Sequence, residues 1–252
     1  MPDTIWLLAG IAVFLASALQ TATGAGLGLI AGPALLLAMT SSAAIHVAAV
    51  LNLVLSLALL PFERHQFPRV PFAWLCVGAA IGVPFGAWIL HIVSLPILQL
   101  LTGIAVTLGG VQLLIAERTK RDRIAFKSLV PFGVLAGIMT AAMAIPGPAA
   151  LWGLARSTLQ PAQVRAVLRG FFVVVYIVTL AIHSAIGMPW AAVVDATLWM
   201  LPCLAAGAIV GTVIKGRASA RTLRLSFLIL LLVMGVALLG NSAKHYLSFE
   251  IS

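Results

Sequence analysis

Two stretches of the chain place polar and backbone-freeing residues inside otherwise apolar sequence. The first reads Gln20-Thr21-Ala22-Thr23-Gly24-Ala25-Gly26-Leu27-Gly28 and runs on to Gly32-Pro33. The second, Met139-Thr140-Ala141-Ala142-Met143-Ala144-Ile145-Pro146, ends in the matching pair Gly147-Pro148. A helix that restarts after such a break presents unpaired N–H groups and a partial positive charge, which suits an anion without any buried Lys or Arg. Pro33 and Pro148 fit the first turn of a restarted helix. Gly26 and Gly28 would give a ligand room to approach those amides, so a side chain at Gly28 is expected to block the site while leaving the fold largely intact. The plainer explanation is that the small residues only let helices pack closely.

Polar residues within apolar segments are expensive in lipid and mark candidate sites. Besides Thr21 and Thr23, they include Gln20, Asn52, Gln99, Gln112, Thr140, Arg165 and Arg169. Arg165 and Arg169 are four apart and share one helix face; they fit a cytoplasmic vestibule that attracts anions and equally fit membrane-edge anchors. His46, His91 and His183 fall near segment ends and His65 in a loop, so they read as interfacial residues. Cys76 and Cys203 lie in apolar runs without metal or disulfide spacing and read as small hydrophobes. No metal or cofactor is implied. There is no HExxH, GxGD or GxSxG, no nucleotide-binding GxxxxGK[ST], and no acid between Glu63 and Glu117 or between Asp122 and Asp195. Acid–base and metal chemistry therefore lack their usual parts, and the sequence does not read as an enzyme. An intramembrane enzyme or a membrane assembly factor is the alternative reading.

The elements that must position these residues are set by composition. Hydrophobic residues make up 62% of the chain and charged residues 8%, with a mean hydropathy of +1.16, which excludes an ordinary soluble domain. Eight apolar segments, at about 5–40, 43–60, 70–91, 94–116, 128–155, 162–185, 191–214 and 222–240, predict an all-α polytopic membrane protein. The first apolar run has no positive flank or obvious cleavage site and reads as part of the bundle, not as a signal peptide. The net charge of +9 comes from basic residues at segment ends without interleaved aromatics, which fits membrane topology and not nucleic-acid binding.

The chain also repeats itself. Gly32-Pro33-Ala34 recurs 115 residues on as Gly147-Pro148-Ala149, and Trp74, Gly82, Gly86 and Gly110 recur 125 residues on as Trp199, Gly207, Gly211 and Gly235. Charge placement orients the copies. If segments one and five dip into the membrane and return as two half-helices, fourteen of the fifteen Lys and Arg share one face, leaving only Lys244 opposite. The expected fold is thus two inverted four-segment repeats, each with a broken or re-entrant first segment, and with both termini outside. The repeats are 1–116 and 128–252, joined by a basic cytoplasmic linker at 117–127. A plain bundle of eight crossings is the alternative.

Two half-repeats, each opening on a small-residue break with a proline and followed by an apolar helix, resemble the TauE/SafE (sulfite exporter) family. The sharpest residues are Gly24, Gly26, Gly28, Gly32 and Pro33 with Gly147 and Pro148, while Met139 to Ala144 depart from the glycine-rich stretch expected in the second half. The resemblance implies a permease of the bacterial cytoplasmic membrane for small anions, with sulfite, organosulfonates and related sulfur compounds the usual suggestions. The reading at this point is a secondary transporter with a small anionic substrate, an open choice of coupling ion, lipid around it and no nucleic acid. Its substrate-binding residues are expected to be Thr21, Thr23, Gly24, Gly26, Gly28, Gly32, Pro33 and Asn52 from the first half. Thr140, Gly147, Pro148 and Arg169 come from the second.

Overall fold

The computed structural model describes residues 2–62, 67–115, 124–215, 217 and 220–250. Among the described residues the chain forms ten α-helices: α1 (Pro2–Thr23), α2 (Leu27–Met39), α3 (Ala43–Leu59), α4 (Arg69–Ile92), α5 (Leu95–Ile115), α6 (Val130–Met143), α7 (Gly147–Leu154), α8 (Pro161–Ala185), α9 (Trp190–Ile214) and α10 (Ala220–Glu250). A 3-10 turn at Phe126–Leu129 leads into α6. Among the described residues six stretches are long and apolar enough to cross a bilayer: Thr4–Thr23, Ala43–Phe62, Arg69–Ile92, Phe126–Met143, Pro161–Ala185 and Trp190–Ile214. The protein is an all-helical, multi-pass membrane protein. Most of the linker 117–127, and with it Arg118, Lys120, Arg121 and Arg123, lies outside the described residues, as does Arg64.

Segments one and five are broken where the sequence predicts, and each by its own means. α1 stops at Thr23 because Gly24 (φ 98°) and Gly26 (φ 143°) adopt backbone angles that L side chains resist. The Thr23 hydroxyl lies 2.8 Å from both the Leu19 and the Ala25 carbonyls and has one hydrogen to share between them, which ties the helix end to the turn that follows. α6 stops at Ala144, which holds a left-handed conformation (φ 57°) without being glycine. Pro146 then disfavours further helix at the residue before it. The two arms of each broken segment pack on one another, α1 on α2 and α6 on α7. The arms are unequal, since α1 and the stretch Phe126–Met143 that ends in α6 reach spanning length while α2 and α7 do not.

Pro33 departs from expectation. It is the seventh residue of α2, which begins at Leu27 with Gly26 as its N-cap, because the two positive-φ glycines restart the helix before the proline is reached. Pro148 does occupy the first turn of its helix, α7. The two Gly-Pro pairs therefore match in sequence but not in their distance from the break.

The first helix of each half packs on a glycine-bearing helix of the other. Gly78, Gly82 and Gly86 of α4 lie directly against the Val130, Val134 and Ile138 carbonyls of α6, with no room for a Cβ. Gly207 and Gly211 of α9 lie as closely against the Phe14 and Ala18 carbonyls of α1. Without a hydrophobic drive between helices in lipid, this close approach is what holds them. α5 and α10 pair with each other, Gly110 facing Leu231 and Gly235 facing Thr107, with Asn241 Nδ2 donating to Gln99 Oε1 at 3.1 Å. Trp88, Trp190, Trp199 and many Ile, Leu and Val side chains lie on the exposed outer faces, as lipid-facing helices require. Both cysteines are half-buried free thiols.

Candidate functional site

The two breaks meet. Gln20, Gly26, Gly28 and Leu29 from the first, and Ile145, Pro146 and Gly147 from the second, line one small cavity together with Asn52 of α3 and Phe172 and Tyr176 of α8. Phe172 and Tyr176 lie close to halfway along α8, so the cavity sits at mid-height of a spanning helix. Its free space amounts to about one water molecule.

Hydrogen bonds cover the carbonyl ends of both breaks. At the end of α1, the buried Arg169 guanidinium donates from Nη2 to the Thr21 carbonyl at 3.2 Å. Beside the second break, the Tyr176 hydroxyl donates to the Ala144 carbonyl at 2.8 Å. Donors thus cover the negative ends of α1 and α6. On the positive ends, the Leu27 N–H of α2 donates to the buried Gln20 side-chain oxygen at 2.7 Å, and Pro146 offers α7 no capping side chain. The first amides of a helix have no intrahelical acceptors. What faces the cavity is therefore helix N-termini, a glutamine, an asparagine and an aromatic wall, a combination that favours negative charge. Asn52 uses Nδ2 on the Ala48 carbonyl of its own helix at 2.8 Å.

Of the residues expected at the site, Gly26, Gly28, Asn52 and Gly147 line the cavity. The others stand around it. Gly24 packs against the Arg165 side chain and Pro148 against Gly109 of α5. Thr140 is buried but its hydroxyl donates back to the Ala136 carbonyl at 2.5 Å. Gly32 and Pro33 are buried in α2, and Thr23 is exposed with its hydroxyl occupied by carbonyls. Thr21 is buried and packs its side chain against Gly211 of α9.

Three expectations change. Gly28 does not leave space for a ligand: its Cα abuts the Ala144 carbonyl and Ile145, so a Cβ there collides with backbone and is incompatible with the docking of the two breaks. Over Gly26, the space is filled by the Phe227 ring of α10. Arg169 is no membrane-edge anchor, being only 3% exposed and bonded to the first break. His46 and His183, read as interfacial, are also buried, and their rings touch.

Sequence reasoning flagged Gln20 as a buried polar residue but not as the group that caps α2. Tyr176 was missed altogether, although it is a lone tyrosine in an apolar span and the only residue between Asp122 and Asp195, apart from Lys127, His183 and the arginines, with an ionisable side chain. Among the described residues no group of three or more His, Cys, Asp or Glu could hold a metal.

Comparison with protein families gives a match to the sulfite exporter TauE/SafE family over residues 9–238. Comparison with curated proteins and with solved structures gives no match.

Proposed function

The chain belongs to the sulfite exporter TauE/SafE family, and on that premise we propose that it is a secondary transporter of small anions, exporting sulfite, organosulfonates or related sulfur compounds across the bacterial cytoplasmic membrane. The observation that carries this reading is the convergence of both breaks on one cavity at mid-height of α8, lined by helix N-termini and neutral polar groups. An oxyanion accepts hydrogen bonds and donates few, so it suits a site whose carbonyls are already covered by Arg169 and Tyr176. Gln20 supplies the acceptor that holds the Leu27 amide when no anion is there; an arriving oxyanion would take that amide over. The cavity is too small for sulfite as it stands, so binding requires α2 and the second break to separate, which is the motion an alternating-access carrier needs.

In this reading the two halves, 1–116 and 128–252, are inverted repeats with re-entrant first segments and the basic linker 117–127 in the cytoplasm. The exchange of partners between halves, α1 on α9 and α6 on α4, supports it. Lipid surrounds the bundle and the coupling is to an ion gradient, with no nucleotide site in the sequence. Arg165, half-buried beside Gly24, would raise local anion concentration on the cytoplasmic side of the first break, with Arg169 buried behind it on the Thr21 carbonyl.

Purified protein in liposomes, given radiolabelled sulfite, sulfoacetate or taurine, should move at least one of them faster than protein-free liposomes. If none moves and none binds, the transporter reading is wrong. For the topology, single cysteines at positions 122 and 219, placed in a background without Cys76 and Cys203, should both be shielded from an impermeant reagent added outside. Opposite labelling of the two positions rules out the inverted arrangement.

A further inference from the structure

The histidine pair stands outside everything described so far. His46 of α3 and His183 of α8 come from different halves of the chain, and their ring centroids lie 4.7 Å apart with planes at 86°. His183 is fully buried and His46 is 7% exposed. His183 Nδ1 and Nε2 and His46 Nδ1 meet no hydrogen-bond partner, and the Ala141 carbonyl faces His183 without forming a well-aligned bond. Burying a polar ring without partners is unfavourable, so a pair placed this way at a helix–helix contact calls for a role beyond filling space.

Among the described residues no other titratable group reaches the pair. α2, α6 and α7 carry none. On α4, Arg69 and His91 are exposed and Cys76 is half-buried; on α9, Asp195 is exposed and Cys203 faces Gly10 of α1. On α8 itself, Arg165 and Arg169 lie toward the first break and Tyr176 is bonded to Ala144. The two imidazoles therefore act chiefly on each other. A single proton shared over the pair has to offset the cost of burying a charge, against which an imidazolium set edge-to-face with a neutral ring gains from that ring's π-face. A second proton is not accommodated, since two like charges at this distance repel strongly.

The pair is also wired to the cavity. His46 is six residues before Asn52 on α3, and His183 is seven after Tyr176 on α8, about 10 Å along each helix. His183 also faces Ala141, one turn before the second break. We infer that His46 and His183 together form a single-proton site whose occupancy sets the spacing of α3 and α8 and so couples a proton to the opening of the cavity. This supplies the coupling ion for the transport reading above and rests on that reading for its consequence, though not for the proton site itself.

Nitrogen-15 NMR of histidine-labelled protein in lipid nanodiscs, with signals assigned by His46→Gln and His183→Gln, tests the site without any anion. Lowering the pH from about 8 to about 3.5, a range wide enough for buried histidine to switch, should add one proton to the pair and lengthen the distance between spin labels on α3 and α8. If both rings stay neutral over that range, or both become charged, or the helices do not move, the inference is overturned. In liposomes, His183→Gln should cut sulfite accumulation driven by a pH gradient by roughly tenfold, the size of an ordinary coupling free energy, while sulfite-for-sulfite exchange, which needs no net proton movement, continues. Unchanged gradient-driven accumulation in His183→Gln and in His46→Gln also overturns it. A wild-type protein that takes up the single proton but neither binds nor moves sulfite, sulfoacetate or taurine would sink the transporter reading and leave the proton site standing.

Discussion

The first break is built from glycine and the second from alanine and proline, yet both stop a helix inside the bundle and both deliver a new helix to the same cavity. At the first, Gly24 and Gly26 reach positive φ without steric conflict, and the contacts around them, Arg165 over Gly24 and Phe227 over Gly26, fill space that side chains would otherwise need. At the second, Ala144 takes a left-handed conformation that costs an L residue about 1–2 kcal/mol. Its carbonyl is held by the Tyr176 hydroxyl and by the bare backbone of Gly28 opposite. A broken helix can thus be made by residues that permit the turn, or by surroundings that impose it. The imposed turn depends on distant residues for its backbone angle, whereas the permitted one takes that angle from its own glycines and uses the distant Arg169 only to cover a carbonyl.

The largest effect is expected where the two breaks touch. Gly28→Val drives a side chain into the Ala144 backbone, and since even ordinary overpacking costs about 1–3 kcal/mol, this variant should lose most of its folded fraction in size-exclusion chromatography. Gly32→Ala, with the nearest foreign backbone atom 3.6 Å from the added Cβ, should behave as wild type; equal damage at both positions would show that Gly28 is not a special contact.

Next comes Arg169→Gln. It removes a buried charge-assisted bond from the Thr21 carbonyl, and a loss of about 1.5–3 kcal/mol should appear as a lower thermal midpoint in detergent. A midpoint unchanged from wild type would mean that the first break does not rely on the cation. Tyr176→Phe should cost somewhat less, about 1–3 kcal/mol for an acceptor left buried without its donor. Its effect should be suppressed in an Ala144→Gly background, where the left-handed turn no longer needs support. Additive losses in that double variant would break the distinction between imposed and permitted turns.

The smallest effects contrast the turn residues themselves. Gly24→Ala places a side chain at φ 98° against Arg165 and should destabilise by about 1–2 kcal/mol. Ala144→Gly should come out near neutral in the same thermal assay, because relief of left-handed strain is offset by about 0.4–1 kcal/mol of added freedom in the unfolded chain.

The membrane class, the positions of the helices and the location of both breaks were legible in the residues, because hydropathy and glycine and proline chemistry act locally and need no partner to be read. The glycines matched 125 residues apart stand out in the sequence, and Gly82, Gly86, Gly207 and Gly211 are contact points between helices. Pro33 misled because a proline was taken as the start of a helix that two upstream glycines had already begun. Asn52 could be picked out as a polar residue deep in an apolar span, whereas the role of Gln20 required knowing that the Leu27 amide returns to it across the turn.

Sequence by itself determined that this chain lies in a membrane and where its first and fifth apolar segments break, since both follow from the transfer cost of side chains and the allowed angles of single residues. Only the tertiary structure decided which groups face one another: that Gly28 holds the second break and leaves no room for a ligand, that Arg169 and Tyr176 cover the carbonyls, and that His46 meets His183. Those pairings join residues as much as 148 positions apart. They depend on how α3 and α8 lie between the two halves, which no local property of either helix encodes.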